Sequence, residues 1–390
     1  MNGNKESSNT KAQSKTDSVP ECKKTSHSRR RVLSTVAAGV GATTIAGCLG
    51  SSETDEPTDN SPLRVEVYGG IFKEVMDEQL INPFREETGI PVESESGLSA
   101  SQLSRINAAV NAGETPVDLF AAQPTQYIRG HEMGLWHTHD PSAISSSGDV
   151  IPEMMPMTDD SELMAVGAFG VYESLLTNLD VIDDPVTTWK ALWDDQYEEQ
   201  FAVGQAFDNY LIDITAHIFD EFDGQETLET ESGITSVLEK VQEVKPQITT
   251  WFDGEAEAQE GMQRNDIGAA KYYNDVALVL EEQENSKYDN VVPDEGLLKD
   301  HRAWVIPESS PNVEAAQEFL NYSLQPEVQK RITEELYTAP VLERDSMDIS
   351  DDLYTAVHGP DSMDAIEPNH QMYIDREEWL DSQWRDMVLP

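Results

Sequence analysis

Leu63-Arg64-Val65-Glu66-Val67-Tyr68-Gly69-Gly70 decides the fold. Apolar and charged residues alternate from Leu63 to Val67, the period of a half-buried strand, and the glycine pair ends it. Phe72, Val75, Met76 and Leu80 follow at helical spacing, and Pro83 is expected to break that helix. Residues 90–93 read as a second short strand. Residues 99–113 read as a helix with Leu103, Ile106 and Val110 inward and Gly113 as its stop. Residues 117–122 form an apolar run of the buried-strand type. Strands alternating with helices predict α/β architecture with parallel sheets.

The alternation continues downstream. Strands are expected at 201–203, 267–273 and 303–306. Helix faces are carried by Leu211, Ile214, Thr215 and Ile218, then by Ile234, Val237, Leu238 and Val241, and a helix is expected at 276–284. Asn312 is expected to cap a helix with Ala316, Phe319 and Leu320 inward. Pro326 opens the next, with Val328, Ile332 and Leu336 on one face. No repeat of solenoid period is present. A chain of this length buries one large core or two lobes.

Upstream, Ser28-Arg29-Arg30-Arg31-Val32-Leu33 precedes a charge-free run that stops at Ile45-Ala46-Gly47-Cys48. A basic stretch, an apolar stretch and a small-residue cleavage site make an export signal over 1–47. The paired arginines fit the twin-arginine variety. Ile45-Ala46-Gly47-Cys48 resembles a lipobox, which implies lipid attachment at Cys48. An uncut membrane anchor is the alternative, but the run is about 16 residues against the roughly 20 a spanning helix needs. Residues 48–62 are polar and turn-rich, a flexible tether. The expected location is the extracellular face of the cell membrane.

The chain has 26 Lys+Arg against 74 Asp+Glu, a formal net charge of −48. Residues 1–47 are net basic, so the excess beyond them is larger still. Self-repulsion of that size opposes a compact fold in dilute buffer. Molar salt relieves it, since the Debye length falls to about 3 Å at 1 M. The acidic residues are dispersed as singles and pairs, as in a halophile protein. Nucleic acid is excluded as a partner, because it requires basic patches. The two cysteines, Cys22 and Cys48, precede the folded part, so no disulfide or cysteine metal site is expected there.

Catalysis finds little support. G-x-S-x-G, H-E-x-x-H, a Walker loop and G-x-G-x-x-G are all missing from the chain. His137-x-His139 supplies two potential metal ligands without a third, and its loop setting reads as exposed histidines. No carboxylate pair stands out from the acidic background.

A more specific pattern is distributed along the chain. Tyr68-Gly69-Gly70-Ile71-Phe72 at a strand end, then Pro83-Phe84 and Glu87-Thr88-Gly89-Ile90-Pro91-Val92, resembles the opening of periplasmic solute-binding proteins of ABC importers. Pro116-Val117-Asp118-Leu119, Pro185 to Asp194 with its Thr188-Trp189 and Leu192-Trp193-Asp194, Trp304-Val305-Ile306-Pro307, Pro326-Glu327-Val328-Gln329 and Ala339-Pro340-Val341 follow in the family's order. The branch most similar is the spermidine/putrescine type, with ferric-iron binders as neighbours, here as a haloarchaeal lipoprotein. The resemblance implies a two-lobed α/β fold of the periplasmic-binding-protein type II, with a hinged cleft. Lobe I would comprise 63–165 plus 302–336 and lobe II 166–301 plus 337–390, with crossings near Val166 and Asp300. It implies a monomer that binds a small solute without a cofactor or metal and delivers it to a permease and its ATPase. It implies no enzyme activity.

The same resemblance implies the cleft residues. One family carboxylate follows the strand at 201–203; the matching positions are Ala206 and Asn209, with Asp208 between them. Another precedes the strand at 303–306, where Arg302 stands, with Asp300 two residues earlier. A third matches Asp275, after Tyr272 and Tyr273. Tyr68, Gly69, Gly70, Phe72, Gln123, Thr125 and Gln205 complete the candidate set. Phe72 equally suits a core, and Asp275 a helix cap. Tyr272 and Tyr273 alternate along a strand, so one is expected to face the cleft. Arg302 favours an anionic group on the solute, and Arg302→Ala is expected to weaken such a ligand while leaving folding nearly intact. A ferric-iron binder using the tyrosine pair, a tethered extracellular enzyme and a signalling receptor stay as alternatives.

Overall fold

The computed structural model describes residues 61–97, 102–283, 286–360, 362–363 and 365–389. The expected export signal, Cys48 and nearly all of the tether lie outside these. Ten strands form two five-stranded sheets: β1 Leu63–Val67, β2 Val92–Ser96, β3 Leu119–Ala122, β4 Val166–Gly170, β5 Glu173–Asn178, β6 Phe201–Gly204, β7 Ile248–Phe252, β8 Ala269–Tyr273, β9 Tyr288–Val291 and β10 His301–Val305. The first sheet runs β2-β1-β3-β10-β4 and the second β7-β6-β8-β5-β9.

The sheets are mixed, not parallel as expected. In the first, β1 pairs parallel with β2 and β3, whereas β10 is antiparallel to β3 and β4. In the second, β6 is parallel to β7 and β8, whereas β5 is antiparallel to β8 and β9. The cause is the crossings. A helical crossover returns a strand in the same direction. A strand that arrives from the other sheet enters from the opposite end. β5 follows β4 across Val171-Tyr172, and β10 returns from β9 through residues 292–300.

Each sheet has its own core. Leu63, Val65 and Trp304 pack with Phe319, Leu320 and Ile332 on the first. Leu175, Phe201 and Val203 pack with Ile214, Val237 and Trp189 on the second. The strand beginning at Val166 hydrogen-bonds into the first sheet. Ala339, Val341, Tyr354 and Val357 also belong to the first core, while Ile366, Met372, Leu380 and Trp384 belong to the second. The expected lobe limits at 165/166 and 336/337 therefore part residues that pack together.

Two local expectations are corrected. Pro83 does not break its helix. Ile71–Met76 and Asn82–Thr88 are joined by a π-helical stretch, Asp77–Ile81. That wider turn accommodates a ring lacking an N–H. The helix ends instead at Gly89, in the left-handed region at φ 75°. Asn312 heads helix Val313–Ser323 without capping it: its Nδ2 donates to Asp118 Oδ2 at 3.2 Å. Among the described residues no helix is long and apolar enough to cross a membrane.

Candidate functional site

The crossings bring ends of both sheets to one cavity of about 580 Å³. From the first half come Gln123, at the N-terminus of helix Pro124–Glu132, and Arg302 on β10. From the second come Glu173 opening β5, the loop Gly204–Tyr210 after β6, Phe252 to Glu255 after β7, and Lys271 to Tyr273 closing β8. Strand ends are where backbone direction changes and side chains converge, the usual ligand position in open α/β sheets.

Both cations of the cavity are already paired. Arg302 donates Nη1 to Asp300 Oδ2 at 2.7 Å and to His301 O at 2.9 Å, and Nε to the Tyr68 hydroxyl at 2.6 Å. Its side chain is only 4% exposed. Burial opposes its charge, but Asp300, Tyr68 and Tyr273 outweigh burial and hold its pKa above the usual value. Burial likewise opposes the Asp300 carboxylate; Arg302 and His370 reverse this and hold it below the usual range. Lys271 pairs with Glu173 across neighbouring strands, both buried. Burial outweighs Lys271 at Glu173 and pushes that carboxyl upward. Arg302→Ala would strand a buried Asp300, so the expected harmlessness to folding is withdrawn.

Three carboxylates of the cavity, Asp208, Asp253 and Glu255, have no cationic partner among the described residues. Asp253 accepts only from Gln205 Nε2, at 2.8 Å. Asp208 is exposed to the cavity yet surrounded by protein, and burial, with help from Asp300 and Glu377, raises its pKa. Its loop is tightly held. Asn209 Nδ2 donates back to Gly204 O, Leu211 N donates to Asn209 Oδ1 at 2.9 Å, and Tyr210 sits at φ +61°. A bulky residue in that region is strained and persists only where its surroundings enforce it.

Six predicted residues line the cavity: Gln123, Gln205, Asn209, Tyr272, Tyr273 and Arg302. Tyr68 stands behind Arg302, bonded to it. Phe72 packs 5.3 Å from Tyr68 and 4.9 Å from Phe169, against the first core. Gly69, Gly70, Thr125 and Asp275 are not among the lining residues. Asp275 lies in the first turn of helix Asn274–Glu281 without capping it. Its Oδ1 is enclosed without a hydrogen-bond partner, and burial pushes its pKa up to about 7. Both tyrosines reach the cavity, where one was expected, because the strand ends at Tyr273 and alternation lapses there. Burial pushes both phenols upward, away from the phenolate form.

Glu173, Asp208, Tyr210, Phe252, Asp253, Glu255 and Lys271 were not in the predicted set. A signal existed for three of them: the β-branched and aromatic run Thr249-Thr250-Trp251-Phe252, closed by Asp253-Gly254, marks a strand end. Elsewhere His139 is buried rather than exposed, and His137 Nδ1 lies 3.1 Å from Glu308. Among the described residues no group of three His, Cys, Asp or Glu is placed to hold a metal.

A polar cavity between two sheeted halves, with aromatic walls and charged groups from both sides, is the arrangement of a binder of small solutes. The family model "Bacterial extracellular solute-binding protein" matches residues 79–346, and the chain belongs to this family. The gamma-aminobutyric acid-binding protein of Pseudomonas aeruginosa is 21% identical over 283 residues, covering 72% of this chain and 76% of that protein. The solved structure titled "Atu4243-GABA receptor" matches with a TM-score of 0.70 at 17% identity, covering 83% of this chain and 97% of that one. The spermidine/putrescine ABC transporter substrate-binding protein PotD of Streptococcus pneumoniae matches with a TM-score of 0.65 at 18% identity, covering 84% and 99%. The fold is thus the two-lobed fold of periplasmic binding proteins.

Proposed function

We propose that this chain is the capture subunit of an ABC importer for a small amine-bearing organic solute. The observation that carries this reading is the charge balance of the cavity. Arg302 and Lys271 are neutralised by Asp300 and Glu173, while Asp208, Asp253 and Glu255 have no counter-ion among the described residues. Burial raises the Asp208 pKa, and a cation beside that carboxylate favours its ionised form. An ammonium group does so, and Tyr272, Tyr273 and Phe252 offer faces to its alkyl stem or to the cation itself. The named ligands of two relatives, gamma-aminobutyric acid and spermidine/putrescine, share that amine. The ferric reading loses ground, because the hard metal requires phenolate and burial keeps both tyrosines protonated.

The solute site joins lobe I, residues 63–170 plus 301–358, to lobe II, 173–291 plus 366–389, and closure brings the two together. The chain works as a monomer at the extracellular face of the membrane, exported by the twin-arginine route in a halophile and held by lipid on Cys48. From there it hands solute to the permease and ATPase subunits. A thermal-shift screen in molar KCl tests the reading, with gamma-aminobutyric acid, putrescine, spermidine, Fe(III) and an amine-free phosphonate. An amine at a hundred times its Kd should add about 2.7 kcal/mol. Stabilisation by the phosphonate or Fe(III), with none by any amine, would overturn it. Steady product release from a bound compound would restore the enzyme alternative.

A further inference from the structure

The C-terminal segment meets the cleft loop through one hydrogen bond and three ring contacts. In helix Glu377–Met387, Trp384 donates its indole N–H to the Gln205 carbonyl at 2.8 Å. In helix His370–Asp375, Tyr373 packs its ring 5.6 Å from Tyr210 and 6.2 Å from Phe207. The Tyr373 hydroxyl donates to Asp213 Oδ2 at 2.6 Å, and the Asn369 N–H donates to Asp213 Oδ1 at 2.7 Å. Asp213 belongs to helix Leu211–Ile218, which starts directly after Tyr210. His370 also packs against Tyr210, edge to face, with rings 5.7 Å apart. The strained backbone at Tyr210 is therefore gripped by rings of the tail, and the start of its loop by an indole.

We propose that Trp384 and Tyr373 are positioning residues of the solute site: they hold the loop Gly204–Tyr210 in the shape that presents Asp208 and Asn209 to the cavity. Neither lines the cavity; both act through the loop. The indole bond matters because Gln205 uses its other groups toward the neighbouring strand end. Its N–H donates to Phe252 O at 2.9 Å and its amide to Asp253. With its carbonyl fixed as well, Gln205 cannot rotate, and the turn that follows starts from a set direction. The proposal rests on the reading of the cavity as the solute site.

Trp384→Phe keeps an aromatic ring against Trp251, which lies 6.0 Å from Trp384, and removes the donor. Hydrogen exchange on the full chain without ligand should quicken about tenfold at the amides of Gln205, Asn209 and Leu211 and stay unchanged in β1. The apparent Kd for gamma-aminobutyric acid should rise by a similar factor. Trp251→Phe disturbs the same packing without touching the donor and should leave the loop amides as they are. Unchanged loop exchange in Trp384→Phe, equal quickening in Trp251→Phe, or quickening spread into β1 would each overturn the proposal. Should Trp384→Phe not fold, Tyr373→Phe replaces it: faster loop exchange supports the grip and unchanged exchange overturns it. The exchange measurement needs no solute, so failure of the wild type to bind any amine would sink the proposed function alone.

Discussion

The outer surface and the cleft are both acidic, yet their charges do different things. On the surface, pairs such as Arg264 with Glu260 at 3.5 Å are exposed at both ends. Water and salt screen them, and exposed pairs of this kind contribute little. In the cleft, two cations are buried against two carboxylates, and three further carboxylates face the cavity with no cationic partner among the described residues. Net charge alone would predict the same behaviour for both regions. Pairing and burial decide instead.

The largest effect should come from breaking a cleft pair. Lys271→Met leaves the buried Glu173 carboxyl without its cation, and thermal denaturation should show a loss of about 3–5 kcal/mol. A loss no larger than that of a surface pair would erase the contrast. Asp208→Asn should cost amine binding about 1.5–3 kcal/mol by calorimetry, the range of a charged hydrogen bond, while thermal stability at neutral pH rises, since burial holds the Asp208 pKa above its usual value. Asp275 lies between the extremes, enclosed but unpaired. Its folded pKa of about 7 stands above the ordinary carboxylate value of 3.8, so the folded state favours the proton. Stability should therefore fall as pH rises from about 4 to about 7 and then level. Asp275→Asn should flatten that slope and exceed wild type above pH 7 by something on the order of 4 kcal/mol, with little difference near pH 4. Last, Arg264→Ala should leave thermal denaturation unchanged in molar salt.

Much of the fold was legible because periodicity is local. Val65 and Val67 alternate with Arg64 and Glu66, and the helix faces from Ile234 to Val241 and Val328 to Leu336 fall where spacing placed them. The direction of β10 was not legible, since it depends on a crossing that no local pattern encodes. Pro83 misled for a related reason: its neighbours supplied a π turn, which propensity does not anticipate. In the site, Arg302 and the tyrosine pair stood out by residue type. That Arg302 is satisfied by Asp300 and Tyr68 is a matter of contacts, one of them 234 positions away. Asp208 stood out only as the residue between two matched positions; its place in the cavity is what separates it from dozens of other acidic residues.

The order of strands in the two sheets also dictates an order of assembly. Every strand of the second sheet lies between Glu173 and Val291. Once that stretch has left the ribosome, it can close its ladder without the rest. The first sheet cannot, because among the described strands β4 pairs with β10, and β4 must wait more than a hundred residues for it. Its early strands stay incomplete for most of translation, with apolar edges that invite mispairing. The sheet whose strands are synthesised first thus closes its ladder second, and the return of His301–Val305 completes it and brings Arg302 into the cleft in one event, while the second core still awaits Ile366 to Trp384.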